Sequence, residues 1–199
     1  MYKFIELIIK TIVCKVIFRV KYKNMEIINK FDKCFICPNH SRVFDAIFIY
    51  SKFTNIYSVA KAEIFKNKLL CKFLKHYHVI PINRKYTDFK GTKKIINVLN
   101  SNDKIKLLLF PEGGIYKENY IENKRNVKNG AVYMSALINI PIIPVNITVR
   151  PRFFTKVEVT FLEPIYPNLE VLNNKKLLKE ESKKLINTIY DKKAKADIS

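Results

Sequence analysis

Residues 34 to 53 decide the fold, and they read CFICPNHSRVFDAIFIYSKF. The apolar run at 34 to 37 is typical of a buried strand, and residues 43 to 53 have the pattern of a helix. His40 lies in the turn between them. The stretch therefore predicts a strand, a turn and a helix in that order.

The same alternation continues along the chain. Apolar runs predict further strands at 56 to 60, 79 to 82, 105 to 110, 142 to 147 and 157 to 162. Helical patterns lie between or after them at 62 to 75, 87 to 100, 129 to 139 and 174 to 190. This order predicts a single α/β domain with a mixed, largely parallel sheet flanked by helices. In such sheets, functional residues gather in loops beyond the carboxyl ends of the strands.

The composition fits one domain of ordinary size. The chain has 199 residues, of which 48% are hydrophobic, and no repeat or Pro/Gly/Ser-rich stretch divides it. Its 37 basic and 17 acidic residues give a formal net charge of +20. Such a charge attracts nucleic acid, anionic lipid or acidic carrier proteins, but it is also found on an ordinary solvated surface. Charge alone does not choose among these.

The four cysteines predict buried thiols rather than a metal site. Cys34 and Cys37 form the one C-x-x-C, and no second pair or histidine stands at zinc-finger spacing. Both lie in an apolar run. We expect them to be structural thiols in a reducing compartment.

The first 22 residues predict an amphipathic helix. Its uncharged stripe consists of Ile5, Ile9, Ile12, Val13, Val16 and Val20. No uncharged run there exceeds four residues, so the segment is neither a membrane span nor a signal peptide. It can pack on its own protein, but its basic flanks also suit anionic lipid. We expect residues 1 to 22 to lie on a membrane surface and residues 23 to 199 to form the folded domain.

His40 and Asp45 are the first candidate functional residues. With His40 in the turn and Asp45 at the start of the helix, the carboxylate can meet one ring nitrogen and leave the other facing a cleft. The carboxylate would then stabilise the imidazolium that forms when the free nitrogen takes a proton. Taken alone, this spacing is more often structural, so other segments have to decide.

Two further predicted strands end in unusual residues. Residues 78 to 84 read HVIPINR and end in Arg84, whose side chain can hold a phosphate through two hydrogen bonds. Residues 107 to 114 read LLLFPEGG and end in Glu112, Gly113 and Gly114. Paired glycines permit close approach of a ligand to the backbone.

Together these segments resemble the 1-acylglycerol-3-phosphate acyltransferases, also called lysophosphatidate acyltransferases, of the glycerolipid acyltransferase family. The family's first motif, N-H-x-S-x-x-D, is similar to residues 39 to 45, with Ser41 one place early. Its second motif, an apolar strand ending in Asp-Arg, resembles residues 79 to 84, where Asn83 replaces the Asp.

The third and fourth motifs follow in the family's order. F-P-E-G-T-R-S matches residues 110 to 113 and then departs at Gly114, so its Thr and Arg are absent. A Lys-x-Gly-Ala helix start and a strand containing Ile-Pro-Val resemble residues 127 to 131 and 142 to 145. The resemblance extends from about residue 34 to about residue 165.

The resemblance implies transfer of a fatty acyl group from a thioester to the sn-2 hydroxyl of 1-acylglycerol 3-phosphate, giving phosphatidate for phospholipid biosynthesis. It implies that His40 is the general base and Asp45 its partner. The acceptor would be held by a set of residues at the strand ends: Arg84, Glu112, Gly113 and Gly114. Lys117 or Lys128 could supply the charge of the missing Arg, although a lysine lacks the planar fork.

The resemblance also implies the partners. The donor would be acyl-acyl carrier protein or acyl-coenzyme A, the acceptor a lysophospholipid, and no cofactor or metal would be bound. The enzyme would lie peripherally on the cytoplasmic face of the cell membrane, on an anionic surface, without binding nucleic acid.

Three alternatives remain at this stage. One is an acyltransferase for another acceptor, such as a lyso-aminolipid or glycerol 3-phosphate. The others are a non-catalytic membrane-binding relative and a basic nucleic-acid-binding domain. The chain has no recognised nucleic-acid motif, and it retains His40 and Asp45, which counts against a non-catalytic relative.

Overall fold

The structure is a computed structural model and describes residues 9–83, 88–101, 103–116, 127–148 and 152–191. Its strands are β1 (Val20–Lys23), β2 (Lys33–Pro38), β3 (Ile56–Lys61), β4 (Val79–Ile82), β5 (Ile105–Leu108), β6 (Ile142–Ile147) and β7 (Val157–Phe161). Its α-helices are α1 (Met25–Asn29), α2 (Asp45–Tyr50), α3 (Lys68–His76), α4 (Phe89–Asn100), α5 (Gly130–Ile138) and α6 (Lys175–Tyr190). A π-helical N-terminal helix (Ile9–Ile17) and two 3-10 segments (Ala62–Lys66 and Leu169–Leu172) complete the described elements.

The strands form one seven-stranded sheet in the order β1-β7-β6-β2-β5-β3-β4. Neighbours are parallel except for β6 and β7, which are antiparallel. The predicted mixed, largely parallel sheet is therefore confirmed. Strands inside the sheet are covered on both faces, and all six residues of β6 are buried.

Helices cover both faces of the sheet. On one face, α4, α5 and α6 pack on the strands through residues such as Leu99, Ala131 and Ile186. On the other face, the N-terminal helix, α1 and α2 do so through Cys14, Ile28 and Phe48. Successive residues of β2 alternate between the two cores, with Phe35 in the first and Ile36 in the second.

The N-terminal segment differs from its prediction. The amide of Phe18 donates to the carbonyl of Val13, five residues earlier, at 3.0 Å. This wider winding changes which side chains share a face. Phe18 is buried, whereas Ile12 and Val16 of the predicted stripe are 46% and 56% exposed.

The predicted helix over residues 1 to 22 also ends too late. Val20–Lys23 form β1, which pairs with β7 along its length. Residues 1–8 lie outside the described residues. The segment up to residue 23 thus contributes a buried side chain and an edge strand to the folded domain.

Sheet order decides which loops meet. β2 and β5 are parallel neighbours, with Ile36 opposite Leu108, so the loops after both strands leave the same edge side by side. β4 is separated from β2 by β5 and β3.

Candidate active site

His40 and Asp45 meet where the sequence predicts. Nδ1 of His40 lies 3.2 Å from Oδ2 of Asp45. The His40 side chain is 16% exposed and the Asp45 side chain is fully buried. Asp45 is the first residue of α2, and His40 lies in the turn before it. Among the described residues, Nε2 of His40 has no hydrogen bond, so this nitrogen is available to take a proton.

Backbone amides of the turn before α2 hold the carboxylate of Asp45 in place. Oδ2 of Asp45 accepts hydrogen bonds from the backbone amides of Ser41, at 2.6 Å, and Arg42, at 2.8 Å. These donors fix the carboxylate before any proton moves. A fixed carboxylate orients the imidazole and stabilises its charged form.

Asn39 anchors the turn to the sheet, a role that the sequence does not predict. Its side-chain amide donates to the carbonyl of Ile147, at 2.9 Å, and accepts from the amide of the same residue, at 2.7 Å. Asn39 is fully buried. Its side chain thus continues the pairing with β6 at the point where β2 ends, and it places His40 beyond the strand end.

The loop after β5 closes over His40. The rings of His40 and Phe110 stack with centroids 3.9 Å apart. The amide of Tyr116 donates to the carbonyl of His40 at 2.8 Å. The imidazole is therefore held on one side by a carboxylate and on another by an aromatic face.

Glu112 lies in the same loop and is 1% exposed. Its Oε1 accepts a hydrogen bond from the hydroxyl of Tyr190, near the end of α6. No local pattern predicts this partner, because Tyr190 is 78 positions away in the chain.

Gly113 and Gly114 differ in how much space a side chain would have at each position. Gly113 has φ +69°, and a Cβ placed there would lie 2.8 Å from Cγ of Lys128. Around Gly114 the nearest contact to such a Cβ would be 3.9 Å. Gly113 is thus required by the backbone and by the lysine stem above it, whereas Gly114 is not.

Of the predicted cationic residues, Arg84 and Lys117 lie outside the described residues. Lys128 is exposed, and its amide donates to the carbonyl of Pro111 at 3.0 Å. Its stem covers Gly113. The structure therefore brings one of the two candidate lysines to the third motif.

Asp88, the residue before α4, binds backbone amides on both sides of it in the chain. Its carboxylate accepts from the amides of Asn83, at 2.7 Å, and Gly91, at 2.9 Å. These two hydrogen bonds lower the pKa of Asp88. Asp88 thus links Asn83, which follows β4, to the first turn of α4.

The described part of the chain offers neither a metal-binding cluster nor a membrane-spanning helix. It contains no group of three or more His, Cys, Asp or Glu side chains arranged to hold a metal ion. None of its helices combines the length and apolar character of a membrane span.

Known proteins resemble this chain in sequence and in fold. The Acyltransferase family model matches residues 19–148. A 1-acyl-sn-glycerol-3-phosphate acyltransferase from Streptococcus pneumoniae is 29% identical over 90 residues, which make up 45% of this chain and 31% of that relative. The crystal structure of the 1-acyl-sn-glycerophosphate acyltransferase PlsC from Thermotoga maritima superposes with a TM-score of 0.59 at 20% identity, covering 83% of this chain and 69% of that one.

The structural likeness shows a shared fold, and the alignment with the pneumococcal relative spans less than a third of that protein. The family match carries more weight. It includes strands β1 to β6 and the two loops that bring His40, Asp45 and Glu112 together, and the chain therefore belongs to the acyltransferase family.

Proposed function

We propose that this protein transfers a fatty acyl group from a thioester to the sn-2 hydroxyl of 1-acylglycerol 3-phosphate. The pairing of His40 Nδ1 with the buried carboxylate of Asp45 at 3.2 Å carries the proposal. A histidine oriented in this way, with its other ring nitrogen available, has the arrangement that a general base requires. Family membership supports acyl transfer as the reaction.

In the proposed reaction, Nε2 of His40 removes the proton from the lipid hydroxyl as the oxygen attacks the thioester carbonyl. Asp45 stabilises the resulting imidazolium. The tetrahedral intermediate collapses, the carbon–sulfur bond breaks, and the thiolate leaves with the electron pair. The imidazolium then returns its proton to the thiolate. His40 is thus neutral again at the end of the cycle, and no acyl-enzyme forms.

The acceptor's phosphate requires cationic or hydrogen-bond-donating partners. We assign these roles to Arg84, Gly113, Gly114 and Lys128, with Glu112 holding the loop and facing the glycerol. Lys128 supports this assignment because its stem lies over Gly113, next to the position where the family's third motif has its Arg. A lysine there supplies charge without a bidentate fork.

The donor and the location complete the proposal. The donor is an acyl-acyl carrier protein or acyl-coenzyme A thioester, and no bound cofactor takes part. Residues 1 to 22 hold the enzyme on the cytoplasmic face of the cell membrane. The exposed Ile12 and Val16 and the basic Lys15 between them support an interfacial position.

Product identification tests the proposal. Purified protein is incubated with lysophosphatidate, lyso-aminolipids and glycerol 3-phosphate, each with both donors, and the products are identified by mass spectrometry. We expect phosphatidate, with product formation lowered by about 10² to 10⁴ in His40→Ala and retained in His76→Ala, which changes an exposed histidine at the end of α3. Acylation of an acceptor other than lysophosphatidate would replace the proposed acceptor while keeping the reaction.

That second outcome has a specific basis in the chain. The third motif lacks the family's Thr and Arg after Gly113. An acceptor with a less highly charged head group would need fewer cationic contacts. The acceptor panel distinguishes these substrates directly.

A further inference from the structure

A surface-exposed aromatic turn lies beside the His40–Asp45 pair. Residues 152–155, here called the aromatic turn, precede β7 and contain Phe153 and Phe154, which are 63% and 67% exposed. The hydroxyl of Thr155 donates to the carbonyl of Arg152 at 2.7 Å and closes the turn. The ring of Phe153 lies 5.7 Å, centroid to centroid, from that of the buried Phe18, yet most of its side chain stays in solvent, and Phe154 has no ring contact among the described residues. Exposed apolar surface of this kind marks an interaction site.

The backbone of the turn strengthens this observation. Phe154 has φ +62°, a left-handed conformation that is unfavourable for a residue with a Cβ and that glycine adopts freely. An exposed phenylalanine there stabilises neither the backbone nor the core. The residue type at position 154 therefore points to an apolar partner outside the fold.

The turn is tied to the elements around the candidate active site. The amide of Phe154 donates to the carbonyl of Ile17, at the end of the N-terminal helix, at 2.6 Å. The ring of Phe153 lies 6.3 Å, centroid to centroid, from that of Phe44, which immediately precedes Asp45. Val43, in the same turn as His40, is 71% exposed. An apolar surface thus extends from the aromatic turn to the turn that holds His40.

The charges around this surface are basic. Arg19, Arg42 and Arg152 are exposed, and the guanidinium of Arg19 donates to the carbonyl of Phe154 at 2.5 Å. Glu158 is engaged by Lys156 at 3.3 Å and by Lys23 at 3.7 Å. Exposed aromatic rings surrounded by arginines match an anionic bilayer, whose interface favours aromatic rings and whose head groups attract cations.

We infer that the aromatic turn inserts Phe153 and Phe154 into an anionic bilayer and seats the mouth of the candidate active site on the membrane. This inference rests on the proposed function in one respect, namely that the acceptor is a membrane lipid. It adds a second membrane contact, directly beside the N-terminal segment to which the turn is hydrogen-bonded. Lipid could then reach His40 without crossing water.

The test uses the full chain and vesicles of equal parts phosphatidylcholine and phosphatidylglycerol. The chain contains no tryptophan, so Phe154→Trp supplies a single fluorescent reporter. We expect its emission to shift to the blue on vesicle addition and to be quenched by brominated lipid. The matched control is Phe89→Trp at the start of α4, where the native side chain is 78% exposed, and it should show neither change.

A second variant separates membrane binding from folding. Phe154→Gly relieves the left-handed backbone, so its melting temperature should equal or exceed that of the parent. Its partition onto the vesicles should fall by about tenfold, the effect expected when one buried aromatic side chain is lost. Phe89→Ala should partition as the parent does. Phe154→Gly should also retain transfer between water-soluble short-chain substrates.

The outcomes have distinct meanings. Equal partition of Phe154→Gly and the parent, or an unshifted Phe154→Trp spectrum, overturns the inference. A Phe154→Gly variant that instead loses concentration-dependent self-association assigns the surface to a second copy of the chain. If the protein acylates no lysolipid but Phe154→Gly still loses vesicle binding, the proposed function fails and the membrane contact stands.

Discussion

The hydroxyl of Tyr190 donates a hydrogen bond to Oε1 of Glu112. This bond joins the last residue of α6 to the loop after β5, and it fixes a carboxylate that is 1% exposed. The same loop stacks Phe110 on His40. The C-terminal helix thus holds the third motif in place, and none of the described contacts of His40 comes from that helix.

Tyr190→Phe removes this hydrogen bond. We expect a loss of about 1 kcal/mol in unfolding free energy, because a buried acceptor loses its donor. If Tyr190 positions Glu112, kcat/KM for the lysolipid should fall several-fold, while the KM for the thioester stays near that of the parent. Tyr133→Phe, on the surface of α5, is the control. Unchanged lysolipid kinetics would show that the bond is only structural.

His40 and Asp45 should behave as one unit. His40→Ala should lower kcat by about 10² to 10⁴, the contribution of a positioned general base. Asp45→Asn should also be severely impaired, because an amide cannot stabilise the imidazolium. The double variant should be little worse than His40→Ala.

Melting temperatures must be measured beside these rates, because Asp45 also accepts two backbone hydrogen bonds. Rates that fall only in proportion to the unfolded fraction would assign the pair a structural role. A folded and fully active His40→Ala protein would refute the mechanism.

Substitution of Arg84 and of Lys128, the two proposed phosphate-binding residues, should affect the acceptor KM differently. Arg84→Lys should raise the acceptor KM, because the bidentate geometry is lost although the charge remains. Lys128→Arg should retain activity, whereas Lys128→Ala should raise the acceptor KM. Steady-state kinetics with lysophosphatidate and with a neutral acceptor measure these changes in KM. Equal effects on both acceptors would exclude a phosphate contact.

The two adjacent glycines offer a matched comparison. Gly113→Ala should cost about 1–2 kcal/mol, because it combines a left-handed backbone with a Cβ close to Lys128. Gly114→Ala should be within about 0.5 kcal/mol of the parent, since its surroundings are open. Thermal unfolding of both variants measures the difference, and equal melting temperatures would contradict the prediction.

Thiol reactivity should follow burial. Burial raises the pKa of Cys34 to about 12 and raises that of Cys37 further, so both remain protonated at neutral pH. Cys71 is only half-buried. In the folded protein we expect a disulfide reagent to modify Cys71 first and to reach Cys34 and Cys37 only after denaturant is added. Mass spectrometry of the labelled peptides identifies the order.

The sequence predicted six of the seven strands, including β4 at one edge of the sheet, and missed β1 at the other edge. The six predicted strands contain apolar residues that are buried in the core. β1 was missed because its residues alternate between half-buried and exposed and include two lysines. Its sequence, VKYK, therefore continued the helical pattern before it.

The sequence by itself determined the His40–Asp45 pair and the family to which the chain belongs. Both depend on residues close together in the chain, where a strand, a turn and a helix leave little choice of geometry. Only the tertiary structure decided that Asn39 binds Ile147, that Phe110 stacks on His40 and that Tyr190 holds Glu112. These contacts depend on the order of the strands and on the placement of α6, which arise from burial of whole faces, and no local pattern of residues encodes them.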